Sequence, residues 1–271
     1  MITLGSINHC VNYRLVHISQ LEIRMNKSIK KKLINREALF GTIITISSPE
    51  IVEISCQAGL DWLFIDLEHS ALTIEDAQLI LQVAGTNMPC LIRVPSNDEV
   101  WIKKALDIGA SGIIVPQVKT IEDAKQAVRF SKYPPDGLRS VGIRRAQGYG
   151  ETFQEYIYSA NTKIVVVVQI EHIDAVNNIE SILTVSGIDC LFIGPYDLSA
   201  SMNRTYQDTD QDVQKAINHV KNCADKAKIP LGIFGVTTEA VKPYIQNGYT
   251  LIAVGIDTML ITEAINGIVK S

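Results

Sequence analysis

Residues 163–171, Lys-Ile-Val-Val-Val-Val-Gln-Ile-Glu, combine a run of β-branched apolar side chains with a polar ending. A strand that is apolar throughout is typical of a parallel sheet covered on both faces, because a half-exposed strand alternates apolar and polar residues. In parallel α/β proteins, polar side chains at the carboxyl ends of strands lie where ligands bind. The segment therefore predicts a buried parallel strand that carries Gln169 and Glu171 to a candidate site.

Seven other short apolar segments follow the same scheme, and each is followed by a longer segment with helical spacing. The predicted strands are residues 39–46, 62–66, 90–93, 112–116, 163–169, 189–193, 230–234 and 250–254. The predicted helices are residues 49–58, 73–85, 98–108, 120–131, 172–185, 209–227, 237–246 and 257–269. Eight β/α units and no GxGxxG turn favour a closed (β/α)8 TIM barrel over a doubly wound sheet.

The barrel is predicted to form one domain, residues 31–271, preceded by an N-terminal extension, residues 1–30, that need not be ordered. The longest interruption of the pattern, residues 132–162, lies between strands four and five. Long loops at the carboxyl ends of barrel strands commonly form active sites. We therefore expect this segment at the mouth of the barrel.

Bulk composition excludes several classes of function. The formal net charge of −4 and pI of 5.8 do not suit a nucleic-acid-binding protein, which usually presents a basic face. No apolar run is long enough to span a bilayer. Five cysteines without a CxxC pair argue against a disulfide framework and a thiolate zinc site. We expect a cytoplasmic protein with no membrane or nucleic-acid partner.

Polar residues gather at the ends of four predicted strands, in the segments 66–70, 93–95, 169–172 and 194–199. Glu171 and Asp197 follow neighbouring strands, and two carboxylates with few histidines favour a hard cation such as Mg²⁺ or Mn²⁺. Each carboxylate taken alone also fits a plain helix cap. The presence of Arg93 and His69 on the same rim favours a site.

Other interpretations of single residues stay open at this point. Arg93 follows three apolar residues, so its guanidinium needs an anionic partner and fits a structural ion pair as well as a ligand contact. His69 also fits a hydrogen-bonded rim residue. His172 begins a predicted helix and is expected to face away from the site. Asp107, near the end of a predicted helix, is typical of a solvent-facing residue.

The chain resembles the HpcH/HpaI aldolase family, class II pyruvate aldolases of the 4-hydroxy-2-oxoheptanedioate aldolase type. The matching segments are DWLFIDLEHS (61–70), IRVPSND (92–98), IKKALDIGASGIIVPQV (102–118), YPPDGLRSVG (133–142), VQIE (168–171) and DCLFIGPYDLSASM (189–202). The resemblance spans residues 37–268. It implies a barrel of the phosphoenolpyruvate/pyruvate type and a homo-oligomer, a hexamer or dimer with swapped helices.

The resemblance also implies roles for single residues. Glu171 and Asp197 would hold a divalent cation, Mg²⁺, Mn²⁺ or Co²⁺. Arg93 would contact a small 2-oxo acid substrate and stabilise its enolate oxygen, and His69 would act as acid and base.

Three further roles follow from the same resemblance. Asp107 would pair with the acid/base histidine, and Gln169 would support the substrate. The backbone around Gly194, Pro195 and Tyr196 would receive the substrate carboxylate.

Three positions depart from the family pattern. Many relatives carry Gly, Met and Gly where this chain has Leu67, Gln117 and Asn203. All three are expected at the pocket rim, where they affect the choice of substrate more than the metal chemistry.

Three functions remain in competition. The first is a metal-dependent aldolase that cleaves a 4-hydroxy-2-oxo acid to pyruvate and an aldehyde through a metal-stabilised enolate. The second is a citrate-synthase-like condensing enzyme that uses oxaloacetate, as in siderophore pathways. The third, a non-catalytic barrel, is disfavoured because no predicted ligand is missing.

Overall fold

The structure, a computed structural model, describes residues 28–204 and 207–269. Its eight parallel strands form a closed barrel in sequence order, and the first strand pairs with the last. The strands are β1 Leu39–Ile44, β2 Trp62–Asp66, β3 Cys90–Arg93, β4 Gly112–Val115, β5 Val165–Ile170, β6 Cys190–Ile193, β7 Leu231–Gly235 and β8 Leu251–Ile256. The predicted (β/α)8 barrel is confirmed, with every predicted strand in place.

The helices alternate with the strands and cover the outside of the barrel. They are α1 Ile29–Ile34, α2 Pro49–Gln57, α3 Ile74–Ala84, α4 Glu99–Asp107, α5 Ile121–Ser131, α6 Phe153–Lys163, α7 Ile173–Asn177, α8 Ile179–Ile182, α9 Pro195–Ser201, α10 Gln211–Ala227, α11 Thr238–Gln246 and α12 Asp257–Val269. Thr73 and Thr120 begin α3 and α5 with capping boxes. The helix predicted over residues 172–185 is divided into α7 and α8 at Asn178.

Two apolar layers hold the barrel together. The outer layer packs the strands against the surrounding helices. The inner layer fills the barrel with large side chains, including Trp62, Phe64 and Phe192, whose rings contact one another in sequence. Because these rings fill the interior, the space open to a ligand lies above them, at the carboxyl ends of the strands.

Helix α1 closes the opposite end, the base of the barrel. Ile29 and Leu33 are buried against the inner apolar layer, and Ser28 caps the helix at its start. The boundary predicted between residues 30 and 31 falls inside this helix. Residues 1–27, which carry most of the predicted extension, lie outside the described residues.

The segment 132–162 does not lie at the mouth, so our expectation for it is wrong. It follows α5, and a helix that follows a barrel strand runs back toward the base. The segment folds there as a 3-10 helix, Arg145–Gly150, followed by α6. Arg145 donates hydrogen bonds to the carbonyls of Leu81 and Ile108, near the carboxyl ends of α3 and α4.

Two features bear on the compartment. No helix within residues 28–204 and 207–269 is long and apolar enough to cross a membrane. The four cysteines in these ranges, Cys56, Cys90, Cys190 and Cys223, are free thiols. Cys10 lies outside them.

Candidate active site

A cavity of about 450 Å³ opens at the mouth of the barrel, above the rings of Phe64 and Phe192. Its charged and amide side chains come from the ends of β2, β3, β5 and β6, where the sequence places its polar segments. The predicted residues that line it are His69, Arg93, Gln169, Gly194, Pro195, Tyr196 and Asp197. The structure thus brings together seven of the nine predicted site residues; Glu171 lies directly behind this lining, and Asp107 lies elsewhere.

Arg93 is held by a bidentate ion pair with Asp66. Its Nε lies 2.8 Å from Oδ1 of Asp66 and its Nη2 lies 2.6 Å from Oδ2. Burial alone would raise the pKa of Asp66, but the hydrogen bonds and charge of Arg93 hold that pKa below its usual range. The guanidinium also stacks over Phe64, 5.2 Å from the ring centre. The structural ion pair of Arg93 is therefore present, and it fixes a side chain that lines the cavity.

Glu68 adds a second carboxylate beside the same arginine. Its Oε2 lies 3.3 Å from Nε of Arg93 and 3.6 Å from Nε2 of His69. Burial raises the pKa of Glu68 to about 7, and the charges of Asp66 and Asp197 add to the effect against the pull of Arg93. Oε2 is buried and has no hydrogen-bond partner among the described residues.

Amide groups of two glutamines donate hydrogen bonds to the two carboxylate oxygens of Glu171. The backbone and side-chain amides of Gln117 donate to Oε1 at 2.7 Å and 2.9 Å, and Gln169 donates to Oε2. Gln117 has a left-handed backbone (φ 54°), a strained conformation for a residue with a side chain. Burial raises the pKa of Glu171 to about 7, with contributions from Glu68 and Asp197.

Asp197 lies in the first turn of α9, a helix that the sequence analysis missed. Gly194 precedes this helix and gives it no side-chain cap, so the amides of Tyr196 and Asp197 have no partner within the helix. A Cβ at Gly194 would lie 3.0 Å from Cβ of Glu171 and 3.1 Å from Nε2 of Gln169. Glycine therefore lets α9 begin directly against the Glu171 carboxylate.

These residues fit a hard divalent cation. The charge of Asp197 contributes to the raised pKa values of Glu68 and Glu171, and a cation between these carboxylates would relieve the repulsion. Gln169 adds a buried Oε1 without a partner among the described residues. No cluster of three or more Asp, Glu, His or Cys ligands occurs in these residues. Glu171 and Asp197 would thus leave coordination positions open for water and substrate.

The sequence pattern of the HpcH/HpaI aldolase/citrate lyase family matches residues 40–264. The chain belongs to this family. A hydroxypyruvate/pyruvate aldolase of Paraburkholderia phytofirmans is 36% identical over 244 residues, which cover 87% of this chain and 94% of that protein. The structure of an HpcH/HpaI aldolase/citrate lyase family protein from Burkholderia cenocepacia has a TM-score of 0.86 and 33% identity, covering 89% and 97% of the two chains. The structure of the citrate synthase SbnG has a TM-score of 0.81 and 27% identity, covering 90% and 96%.

Membership in the HpcH/HpaI family makes the chain one of a family of lyases, and two of its histidines, His69 and His172, follow barrel strands. His69 lines the cavity, and 64% of its side chain is exposed. Within the described residues, the carboxylate near its ring is that of Glu68. His172 caps α7, where Nδ1 accepts a hydrogen bond from the amide of Asp174 at 3.1 Å. As predicted, His172 does not line the cavity.

Asp107 does not lie beside His69 within one chain, so the pairing that the HpcH/HpaI resemblance implies stays a prediction for an oligomer. Asp107 ends α4, and the carboxyl ends of the outer helices lie at the base of the barrel. There its Oδ1 accepts a 2.6 Å hydrogen bond from Arg139. Arg139 is itself buried and packs over Tyr133, 4.5 Å from the ring centre. A contact between Asp107 and His69 would require a second copy of the chain.

Four residues that shape the site of this HpcH/HpaI member were not predicted from the sequence. Asp66 and Glu68 were visible as strand-end carboxylates beside a predicted arginine, but they were assigned no role. Gln117 was visible only as a departure from the family. Asp257 is buried at the end of β8 and ties the end of β1 to it. Leu67, expected at the rim, is instead buried in the outer apolar layer.

Proposed function

We propose that the chain is a divalent-metal-dependent carbon–carbon lyase that cleaves a 4-hydroxy-2-oxo acid to pyruvate and an aldehyde. The observation that supports this most is the charge balance at the mouth. The carboxylates of Asp66, Glu68 and Glu171 lie within electrostatic reach of a single arginine, Arg93, and the exposed carboxylate of Asp197 acts on Glu68 and Glu171. Such an excess of carboxylate, with Asp66 and Glu171 buried, calls for a cation, and a 2-oxo acid is a natural bidentate ligand for one.

Binding of the 2-oxo acid would use groups that the fold leaves free. Nη1 of Arg93 makes no hydrogen bond within the described residues, since Nε and Nη2 serve Asp66. The free amides of Tyr196 and Asp197 suit the substrate carboxylate. When bound, the cation would stabilise negative charge on the 2-oxo oxygen. Arg93 would add a fixed positive charge at the same place.

Cleavage breaks the bond between C3 and C4, and its electron pair passes to the pyruvate half. The C4 hydroxyl must lose its proton as it becomes the carbonyl of the aldehyde, and C3 must later gain one. His69 is the exposed base at the rim, and Glu68 lies 3.6 Å from its Nε2. We propose that His69 accepts the hydroxyl proton and that Glu68 stabilises the resulting imidazolium.

The decisive test removes the proposed ligands. Glu171→Gln and Asp197→Asn should each abolish pyruvate release from 4-hydroxy-2-oxopentanoate. The circular dichroism spectrum of each variant should match that of the wild type. Both should also lose Mn²⁺ binding in calorimetry. Glu180→Gln, an exposed carboxylate in α8, serves as control and should keep both. Full activity of the wild type after exhaustive chelation would disprove the metal requirement.

A second candidate is a condensing enzyme that uses oxaloacetate, favoured by the similarity to the citrate synthase SbnG. Both chemistries need the same stabilised enolate, so the charge balance does not separate them. Incubation of oxaloacetate with an acyl thioester, followed through thiol release, does. Thiol release together with failure to cleave any 4-hydroxy-2-oxo acid would replace the first proposal, and inactivity in both assays would favour a non-catalytic barrel.

We also propose that the protein works as a homo-oligomer in the cytoplasm. Within α12, only Asp257 is buried, although the helix is rich in apolar residues. Its large exposed apolar side chains are Met259, Leu260, Ile261, Ile265, Ile268 and Val269. A surface of this kind marks an interaction site, and a second copy is the partner that the family resemblance implies. Light scattering should show a multimer, and the free thiols suit a reducing compartment.

A further inference from the structure

The mouth of the barrel is divided into two unlike halves. The charged and amide groups that line the cavity come from β2, β3, β5 and β6 or the residues just after them. Three of the other strands, β1, β7 and β8, contribute Ile43, Phe234 and Ile256. The ring of Tyr196 leans toward this side and contacts Phe234, with 6.2 Å between ring centres. The apolar wall therefore faces the polar half across the cavity.

One polar group beside the apolar wall, the hydroxyl of Thr45, is left as a hydrogen-bond acceptor. The hydroxyl of Thr45 donates to Oδ1 of Asp257 at 2.5 Å, so its oxygen is left to accept. Asp257 is saturated, because it also accepts from the backbone amides of Thr45, Ile46 and Thr258. Thr45 and Thr258 both line the cavity. This rim can receive a hydroxyl group, but it offers little to an anion.

Positive charge is confined to the other side. Arg93 is the one arginine or lysine that lines the cavity within the described residues, and it is already paired with Asp66 and Glu68.

On the basis of the proposed function, we propose that the apolar wall selects an uncharged aldehyde with an aliphatic or aromatic tail and rejects an aldehyde that carries a carboxylate. The pyruvate half occupies the polar side, where the carboxylates and Arg93 are. The aldehyde half must then lie over Ile43, Phe234 and Ile256. A carboxylate in that position would lose water without gaining a cation or a set of donors, which is costly, whereas an alkyl tail gains from burial.

A matched pair of aldehydes tests the selection in the direction of carbon–carbon bond formation. 4-Oxobutanoate and 4-methylpentanal have the same length and branching, and they differ in a carboxylate against an isopropyl group. With pyruvate as the donor, kcat/KM should favour 4-methylpentanal on the order of 10²-fold. Equal values, a preference for 4-oxobutanoate, or no reaction with either aldehyde would overturn the inference.

Exchange of the pyruvate methyl protons in D₂O, followed by NMR, separates this inference from the proposed function. The exchange needs enolate formation but no aldehyde. If it proceeds while the expected selection is absent, the inference fails and the enolate chemistry stands. If it is absent with every divalent metal, the proposed function fails, and the inference that rests on it fails too.

A charge placed on the wall should reverse the selection. Phe234→Arg puts a cation opposite the polar half, at a position that is only partly buried, and should raise kcat/KM for 4-oxobutanoate relative to 4-methylpentanal at least 10-fold. Phe234→Leu, the control, keeps the wall apolar and should keep the wild-type order of the two aldehydes. Methyl-proton exchange verifies that each variant is folded. An unchanged order in a folded Phe234→Arg variant would overturn the placement of the aldehyde half.

Discussion

Charged side chains are buried at both ends of the barrel, but they are balanced in opposite ways. At the base, Lys30 pairs with Asp189 at 2.9 Å, and Lys132 donates to the carbonyls of Asn161 and Ile164. Each of these ammonium groups has acceptors. At the mouth, three carboxylates, those of Asp66, Glu68 and Glu171, act on one arginine, and the buried atoms Oε2 of Glu68 and Oε1 of Gln169 have no hydrogen-bond partner within the described residues.

The difference separates stability from function. A buried charge that is paired and hydrogen-bonded serves the fold, whereas a surplus of buried carboxylate destabilises it until a cation arrives. Removal of a charge at the base is therefore expected to lower the free energy of unfolding. The mouth should gain stability when a carboxylate is neutralised and lose activity at the same time.

Within this comparison, the largest effect is expected for Arg93, the arginine at the mouth. Arg93→Ala should lower kcat/KM for pyruvate release by on the order of 10²–10⁴, because the developing oxyanion loses a fixed positive partner. Arg93→Lys keeps the charge without the bidentate pair to Asp66 and should recover part of the rate. Steady-state kinetics of both variants measure this. A normal rate in Arg93→Ala would remove the guanidinium from the chemistry.

At the base, Asp189→Asn removes the counter-charge of Lys30. The free energy of unfolding should fall by about 1–3 kcal/mol, since two buried lysines remain without their carboxylate. Urea denaturation measures the loss, and kcat should stay within about twofold of the wild type. Asp225→Asn breaks an exposed pair with Lys221 and should change stability by less than about 0.5 kcal/mol. Equal effects of the two variants would contradict the contrast.

The metal-free protein should become less stable as the pH rises from about 4.5 to about 7. Over this range the glutamates of the unfolded chain lose protons, while Glu68 and Glu171, whose pKa values are raised to about 7, keep theirs. The melting temperature should fall by roughly 5 °C. Glu68→Gln should flatten the dependence. Saturating Mn²⁺ should reverse it, because the metal binds the deprotonated form.

The smallest effect is expected for Gln117, which departs from the family pattern and donates hydrogen bonds to Glu171. Gln117→Met removes the side-chain donor but keeps the backbone donor, so the Mn²⁺ dissociation constant should rise about threefold. Gln117→Asn tolerates the left-handed backbone but is too short to replace the donor, and it should weaken binding equally. A loss in the Met variant alone would assign the effect to backbone strain rather than to the lost hydrogen bond.

The fold could be predicted because the strands are apolar on both faces and their order needs no long-range information. The position of segment 132–162 was wrongly predicted because the segment was treated as a loop that directly follows β4. Helix α5 lies between them and carries the chain back to the base. Helix α9 was missed because Gly194 and Pro195 directly after β6 are typical of a loop, although proline suits the first turn of a helix.

The site itself was only partly predictable. Strand-end position identified Arg93, Glu171 and Asp197, since closure of the barrel brings all strand ends together. Hydrogen bonds such as those of Gln117 to Glu171 depend on backbone angles that a sequence does not display. Asp107 shows what a resemblance leaves open, because a matched residue does not state whether its partner lies in the same chain or in a second copy.

The pairing of β1 with β8 has a consequence for how the chain is made. The ribosome releases β1 more than two hundred residues before β8, and until then the edge of β1 has unpaired backbone groups on the side where β8 belongs. The nascent chain is an open, curved sheet during that interval, exposed to chaperones and to neighbouring nascent chains. A truncation that removes β8 would leave this edge uncovered for good, and the shortened product would be a substrate for aggregation or proteolysis.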